Sequence, residues 1–222
     1  MSGTVISGAL TREVETLIIG GGVMGLGIAY HLAARGRSDV LVLERGYLAA
    51  GASGRNGGGV RMQWSSEMNI RLMQESIELC RGLAQELGVN VWLRQGGYLF
   101  LARTEEERRR MEKNIALQRR CGVPTELWSP RDANRLVPEL DLAGVVAASY
   151  NPRDGVVFPW PFLWGYAARA QALGATIKSH VEVTDLERLP DGSFLAATSL
   201  GPVRAERVVN AAGAWSRTLS ER

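Results

Sequence analysis

The segment Thr16 to Glu44 constrains this chain more than any other. It reads Thr16-Leu17-Ile18-Ile19-Gly20-Gly21-Gly22-Val23-Met24-Gly25, then an apolar stretch, then Asp39-Val40-Leu41-Val42-Leu43-Glu44. An apolar run of strand length, a glycine turn, a helix and a second strand ending in an acid make a βαβ unit. In such a unit Gly20 turns the chain sharply off the strand. Gly22 lets the backbone approach a pyrophosphate, and Gly25 lets the helix pack closely on the sheet. The N–H groups of Val23 and Met24 stand at the positive end of the helix dipole, where phosphates bind. Glu44 lies about twenty residues beyond the glycines, where a carboxylate accepts hydrogen bonds from two ribose hydroxyls and disfavours a 2′-phosphate. The pattern predicts a dinucleotide ligand and argues against NADP.

The rest of the chain sets limits on partners. A net charge of +3, with 45% hydrophobic and 22% charged residues, describes a globular protein without a basic patch. The run Arg108-Arg109-Arg110 directly follows Glu105-Glu106-Glu107 and reads as a solvated helix face, so no nucleic-acid partner is expected. Cys80 and Cys121 form no CxxC pair, which suits free thiols in a reducing, cytoplasmic setting. No metal site is expected. Leu17 to Ala34 is uncharged and long enough to cross a bilayer, but its glycines and strand-like start argue against a transmembrane segment. Glu13 and Glu15 just before it argue against a secretory signal.

Along the chain, residues 1–13 read as a loose leader. After Glu44 the loop Arg45 to Arg61 is too glycine-rich for a regular element, and a long ordered loop in a compact domain is usually functional. Ser66 to Leu87 is expected as a helix burying Ile70, Met73, Ile77, Cys80, Ala84 and Leu87, and ending at Gly88. A strand over Gly97 to Ala102 precedes a helix opened by Thr104 with Glu107 as its capping-box partner. Leu127-Trp128 is a short strand, Ser129-Pro130 starts a brief helix, and Val145 to Tyr150 is a strand. Pro159 to Leu173 is a helix stopped by Gly174. Strands follow over Thr176 to Val183, Phe194 to Thr198 and Val203 to Asn210. The last of them runs into Ala211-Ala212-Gly213, small residues that leave room for a ligand at a sheet edge. The six tryptophans read as core packing, and His31 as a packing residue of the first helix.

In four segments the chain resembles the FAD-dependent amine oxidoreductases of the D-amino-acid oxidase, glycine oxidase and sarcosine oxidase group. They are Ile18 to Gly25 with Glu44-Arg45, Gly51 to Arg61, Phe162 to Val183, and Val208 to Ser216. The look is closest to the sarcosine oxidase beta subunit and to related hydroxyproline or dimethylglycine dehydrogenases, from Val14 onward. The resemblance implies an α/β fold: an FAD-binding Rossmann-like domain of the glutathione-reductase type, interrupted by part of an α+β substrate domain. Residues 14–90 and 152–222 would form the FAD domain and residues 91–151 the partial substrate domain.

Carried over by position, the resemblance implies that Val23 and Met24 contact the FAD pyrophosphate and that Glu44, with Arg45 beside it, holds the adenosine ribose. Ala52, Ser53 and the loop Asn56, Gly57, Gly58, Gly59 would run past the pyrophosphate and the isoalloxazine ring. Val183 would read the adenine edge through its backbone, and Ala211 to Gly213 would line the flavin side. Arg61 falls where sarcosine oxidases hold the substrate carboxylate, and its planar fork of donors suits that task.

The implied activity is oxidation of an amino acid or of a secondary or N-methylated amine, with oxygen or an electron-acceptor protein as second substrate. Other subunits of a hetero-oligomer are possible partners. Where heterotetrameric sarcosine oxidases carry a flavin-linking histidine, this chain has none between Phe158 and Leu163. Members of the group continue well over a hundred residues past the point matching Arg222, so the chain reads as their N-terminal part. Two other readings stay open at this point: a NAD-dependent oxidoreductase sharing only the βαβ unit, and a non-catalytic FAD-binding subunit or fragment.

Overall fold

The computed structural model of the protein describes residues 13–221. The expected leader lies outside these residues apart from Glu13, which opens the first strand. In chain order the elements begin with β1 (Glu13–Ile19), α1 (Val23–Ala33), β2 (Val40–Glu44), β3 (Gly59–Val60), α2 (Glu67–Leu87) and β4 (Tyr98–Ala102). They continue with α3 (Glu105–Arg120), β5 (Glu126–Trp128), α4 (Pro130–Leu136), β6 (Ala147–Asn151), β7 (Gly155–Val156) and α5 (Pro159–Ala172). The chain then forms β8 (Thr176–Ser179), β9 (Val183–Arg188), β10 (Phe194–Thr198), β11 (Val203–Asn210) and α6 (Ser216–Ser220).

The described residues divide into two compact units, one of residues 13–56 with 159–221 and one of residues 57–158. The boundaries differ from the expected 14–90 and 152–222. The physical reason is α2, whose buried residues Ile70 and Ile77 cluster with Met62 and Val123 of the second unit.

The first unit is built on a six-stranded sheet in the order β8-β2-β1-β11-β10-β9. β8, β2, β1 and β11 are parallel, and β11, β10 and β9 are linked by antiparallel pairing. Leu17 to Ile19 of β1 and Val40 to Leu43 of β2 are continuous apolar, buried runs, as in strands covered on both faces. Leu17, Ile19, Leu41 and Leu43 pack on one face with Val203, Ala205 and Leu219. Ile18 faces the start of α1, and α1 packs on α5 through small residues: a methyl built on Gly27 would just touch the Tyr166 ring. His31 lies 4.9 Å from the Tyr30 ring and 6.0 Å from the Tyr166 ring, a packing position as expected.

The single strand expected over Thr176 to Val183 is two strands. His180 takes a left-handed conformation, at φ 60°. There the chain turns to give the N–H of His180 to Gly46 and that of Val181 to Glu44, each at 2.9 Å. β9 then leaves to pair with β10. β9 carries no strand signal in the sequence: only Val183 and Leu186 are half-buried, three positions apart, and the residues between and after them are polar and exposed.

The second unit holds a three-stranded antiparallel sheet, β4-β6-β5, and a short ribbon of β3 with β7. α2 begins at the Ser66 cap and ends at the left-handed Gly88. Its buried face carries Leu83 where Ala84 was expected; Ala84 is exposed. α3 carries the full Thr104/Glu107 capping box, and α4 a second one from Ser129 and Asp132. Cys80 is buried and Cys121 half-buried, and both are free. Burial pushes the Cys80 thiol above its ordinary range, which leaves it in its inert neutral form. None of the six tryptophans is buried, contrary to the core role expected of them; Trp92, Trp164 and Trp215 are exposed.

Candidate functional site

The glycine turn sits at the carboxyl edge of the parallel strands, where β1, β2, β8 and β11 all end. Gly20 has φ 117°, a conformation open to glycine and strained for other residues. The turn is closed by contact of main chain on main chain. A methyl built on Gly25 would lie 1.9 Å from the Gly20 carbonyl oxygen, and one on Gly20 would lie 2.3 Å from that of Ala211. The crossover helix therefore starts directly against the strand end, and the strand end directly against the Ala211-Ala212-Gly213 segment.

The first amides of α1 are disposed unequally. Val23 N–H donates to Ser53 Oγ at 3.0 Å and Leu26 N–H to the Gly22 carbonyl at 2.9 Å. The amides of Gly22, Met24 and Gly25 have no protein acceptor among the described residues. Orphaned donors at the positive end of a helix are what a diphosphate needs. The expected Val23 contact is already taken by Ser53, so the amides offered to a ligand are those beside it. A methyl built on Gly22 would meet only Ser53, with its Oγ at 3.0 Å, so the approach over Gly22 is otherwise open. The residues fit an FAD pyrophosphate at this point.

Glu44, at the end of β2, does structural work as well. One carboxylate oxygen accepts from Gly21 N–H and the other from Gly46 N–H, both at 2.8 Å. The acid thus ties the glycine turn to the chain leaving β2, and each oxygen keeps lone-pair capacity for a hydroxyl donor. Glu44→Ala is expected to lower stability by about 2 kcal/mol through the two lost charge-assisted bonds. Flavin affinity is expected to fall with it; thermal melting and flavin-fluorescence titration measure the two effects separately.

Arg45 lies over the Trp215 ring at 4.0 Å, a cation–π contact at the same edge. Ala52 and Ser53 form a short 3-10 turn with Gly54, and the Asn56 side-chain amide donates to the carbonyls of Ala52 and Ser53 at 2.9 Å each. The Asn56 side chain is thereby engaged in closing its own turn. Asn210 closes the opposite wall by donating to the Ser216 carbonyl at 2.8 Å. Val183 begins β9 and packs on the apolar cluster under the sheet. The structure thus brings Gly20, Gly22, Val23, Met24, Gly25, Glu44, Arg45, Ala52, Ser53, Ala211 and Gly213 to one sheet edge.

Gly57, Gly58, Gly59 and Arg61 belong to the second unit. Gly58 is left-handed at φ 68°, and Gly59 enters the ribbon opposite Val156. Arg61 is half-buried, with its guanidinium 4.8 Å from the Trp64 ring, 5.6 Å from Tyr98 and 5.5 Å from Phe100. No carboxylate or carbonyl hydrogen-bonds or ion-pairs with it among the described residues. The three rings were not singled out in the sequence. Trp64, three positions past Arg61, was the one readable sign.

Among the described residues no helix is long and apolar enough to cross a membrane, and no cluster of three His, Cys, Asp or Glu side chains could hold a metal ion.

Known proteins match this arrangement. Residues 15–222 match the family described as FAD dependent oxidoreductase. The mitochondrial dimethylglycine dehydrogenase of Rattus norvegicus is 34% identical over 210 residues, covering 94% of this chain and 24% of the relative. The crystal structure of L-proline dehydrogenase from P. horikoshii superposes with a TM-score of 0.87 at 36% identity, covering 96% of this chain and 56% of that one. Glycine oxidase from Geobacillus kaustophilus also gives 0.87, at 31% identity, covering 96% and 58%. The chain spans between a quarter and somewhat over half the length of these relatives. With a family match over nearly its whole length and a dinucleotide turn whose free amides suit a diphosphate, the chain belongs to the FAD dependent oxidoreductases, and FAD is its cofactor.

Proposed function

We propose that this chain takes part in FAD-dependent oxidation of an amino acid or of a secondary or N-methylated amino acid, with Arg61 as the anchor for the substrate carboxylate. The observation that carries the reading is the state of Arg61. Its guanidinium is held by three aromatic rings and has no anionic partner among the described residues. A half-buried cation with five unspent donors is a receptor for a planar anion, and a carboxylate matches its fork. Dimethylglycine dehydrogenase, L-proline dehydrogenase and glycine oxidase are named for carboxylate-bearing amines, which supports the same class here.

The chain's own residues would divide the work as follows. The amides of Gly22, Met24 and Gly25 bind the diphosphate, Glu44 holds the ribose, and Val183 meets the adenine. Ala52, Ser53, the Asn56 to Gly59 loop and Ala211 to Gly213 line the path of the cofactor. FAD bound there would supply the two-electron acceptor for oxidation of the carbon next to the substrate nitrogen, the imine product being open to hydrolysis by water. Arg61 orients that carbon by fixing the carboxylate at the far end of a short substrate. Oxygen or an electron-acceptor protein would be the second substrate. The free state of Cys80 and Cys121 suits the cytoplasmic setting included in this reading.

Arg61→Ala in the flavin-loaded protein is expected to raise KM for N-methylglycine by roughly 10- to 100-fold, the usual effect of losing a charge-assisted pair. KM for a carboxylate-free amine is expected to stay unchanged. Steady-state kinetics with a dye acceptor measure both. Equal KM values for wild type and Arg61→Ala remove Arg61 from substrate binding. Bound flavin without turnover of any amino acid or N-methyl amine would favour a non-catalytic FAD-binding subunit.

A further inference from the structure

Beneath Arg61 lies a buried polar network that the cofactor site does not use. Asp154 and Asn151 are fully buried. One Asp154 carboxylate oxygen accepts from Met62 N–H at 2.8 Å and from the Asn151 amide at 2.6 Å. The other accepts from the Gln63 amide at 3.1 Å. Gln63 also donates to the Tyr98 carbonyl at 2.8 Å and accepts from Ser149 Oγ at 2.7 Å. Burial pushes the Asp154 carboxyl above its usual range, while its three N–H donors and the nearby Arg61 charge act against burial and favour the anion. Burying a carboxylate is costly, and a fold that does so gains something that a neutral side chain would not supply.

The gain is visible at the Arg61–Met62 peptide. Its N–H is held by Asp154, and its carbonyl, that of Arg61, accepts from the Trp64 indole at 2.9 Å. A peptide unit is planar, so fixing both polar groups fixes the direction in which Arg61 leaves the chain. Trp64 is itself held, its carbonyl accepting from Gln118 at 3.0 Å. The ring that fixes the peptide is also the ring nearest the guanidinium.

We infer that Asp154 is a positioning residue: through Met62 N–H and Gln63 it sets the aim of Arg61 toward the carboxylate of the substrate. This rests on the reading of Arg61 given above. An acid is required because three donors converge on it. In Asp154→Asn one donor would face another at Gln63. Turning the Gln63 amide over would then set its oxygen against the Tyr98 carbonyl.

The direction of the effect separates this role from simple charge balance. If Asp154 were only a counter-charge to Arg61, removing it would tighten carboxylate binding. If it aims the side chain, removing it weakens that binding.

The test uses the FAD-loaded protein labelled with 15N-arginine and follows the Arg61 Nε–H signal, identified by its absence in Arg61→Lys. Acetate and N-methylglycine are the probes, with methylamine as the carboxylate-free control. In wild type both carboxylates are expected to shift the signal saturably and methylamine to leave it in place. Asp154→Asn is expected to weaken both carboxylates roughly tenfold while flavin affinity holds. Gln63→Leu keeps the Asp154–Met62 bond and is expected to weaken them in the same direction, which covers a failure of Asp154→Asn to fold. Unchanged or tighter carboxylate binding in the folded variants overturns the inference and leaves Arg61 as the anchor. No shift of the Arg61 signal in wild type overturns the anchor and this inference together.

Discussion

Gly22→Val is expected to leave the protein folded and to abolish FAD binding. Gly22 has φ −89° and ψ −173°, an extended conformation open to any residue. The added carbon meets only the Ser53 side chain, which can give by a few tenths of an ångström. The isopropyl group would then stand in front of the free amides of Gly22, Met24 and Gly25, where the diphosphate has to come. Losing close main-chain approach at a phosphate amounts to several hydrogen bonds, each about 1.5–3 kcal/mol when the acceptor is charged. An affinity loss of at least roughly a thousandfold follows, since about 1.4 kcal/mol is tenfold. Flavin fluorescence titration measures the loss, and an unshifted melting curve without flavin shows that the fold survives. Stoichiometric flavin in the purified variant would falsify the placement of the diphosphate.

Gly25→Ala is expected to act on the fold itself. The new methyl would lie 1.9 Å from the Gly20 carbonyl oxygen and 3.3 Å from the Ile18 side chain. Neither the strand end nor the helix start can retreat alone. Ile18 is fully buried, and β1 is paired on both sides, with β2 and β11. Overpacking of this kind costs about 1–3 kcal/mol in a core that can adjust and more against rigid backbone. Set against a total of about 5–15 kcal/mol, the expected result is a large fall in melting temperature or loss of soluble protein. The pair of variants separates two uses of glycine three residues apart in the same motif: one keeps space for a ligand, the other for a neighbouring carbonyl.

Elements of both units are legible in the sequence where their signals are local. The strand–glycine–helix spacing placed β1, α1 and β2, and the Thr104/Glu107 and Ser129-Pro130 patterns marked where α3 and α4 begin. What escaped depends on partners distant in the chain. His180 is left-handed because the chain there meets Gly46 and Glu44, which no window around residue 180 contains. Asp154 looks like an ordinary turn residue until Met62 and Gln63 arrive from the other side of the second unit. The spacing of Glu44 predicts a ribose contact, while its two bonds to glycine amides emerge only once the turn has formed. The tryptophans depart from expectation for a related reason. Size and hydrophobicity suggest a core, but Trp64 sits half-buried against Arg61, and Trp215 is exposed with Arg45 lying over its ring.

The pairing of β1 with β11 has a consequence for how the molecule is made. Glu13 aligns with Arg204 and Ile19 with Asn210, so β1 waits for a partner strand made much later in the chain. Such long-range parallel contacts are slow to form, and the edges left open meanwhile invite aggregation. Residues 57–158 have their internal partners much sooner. Synthesis is therefore expected to complete the second unit while β1 still lacks β11, a stage at which the apolar sheet edge is open to aggregation.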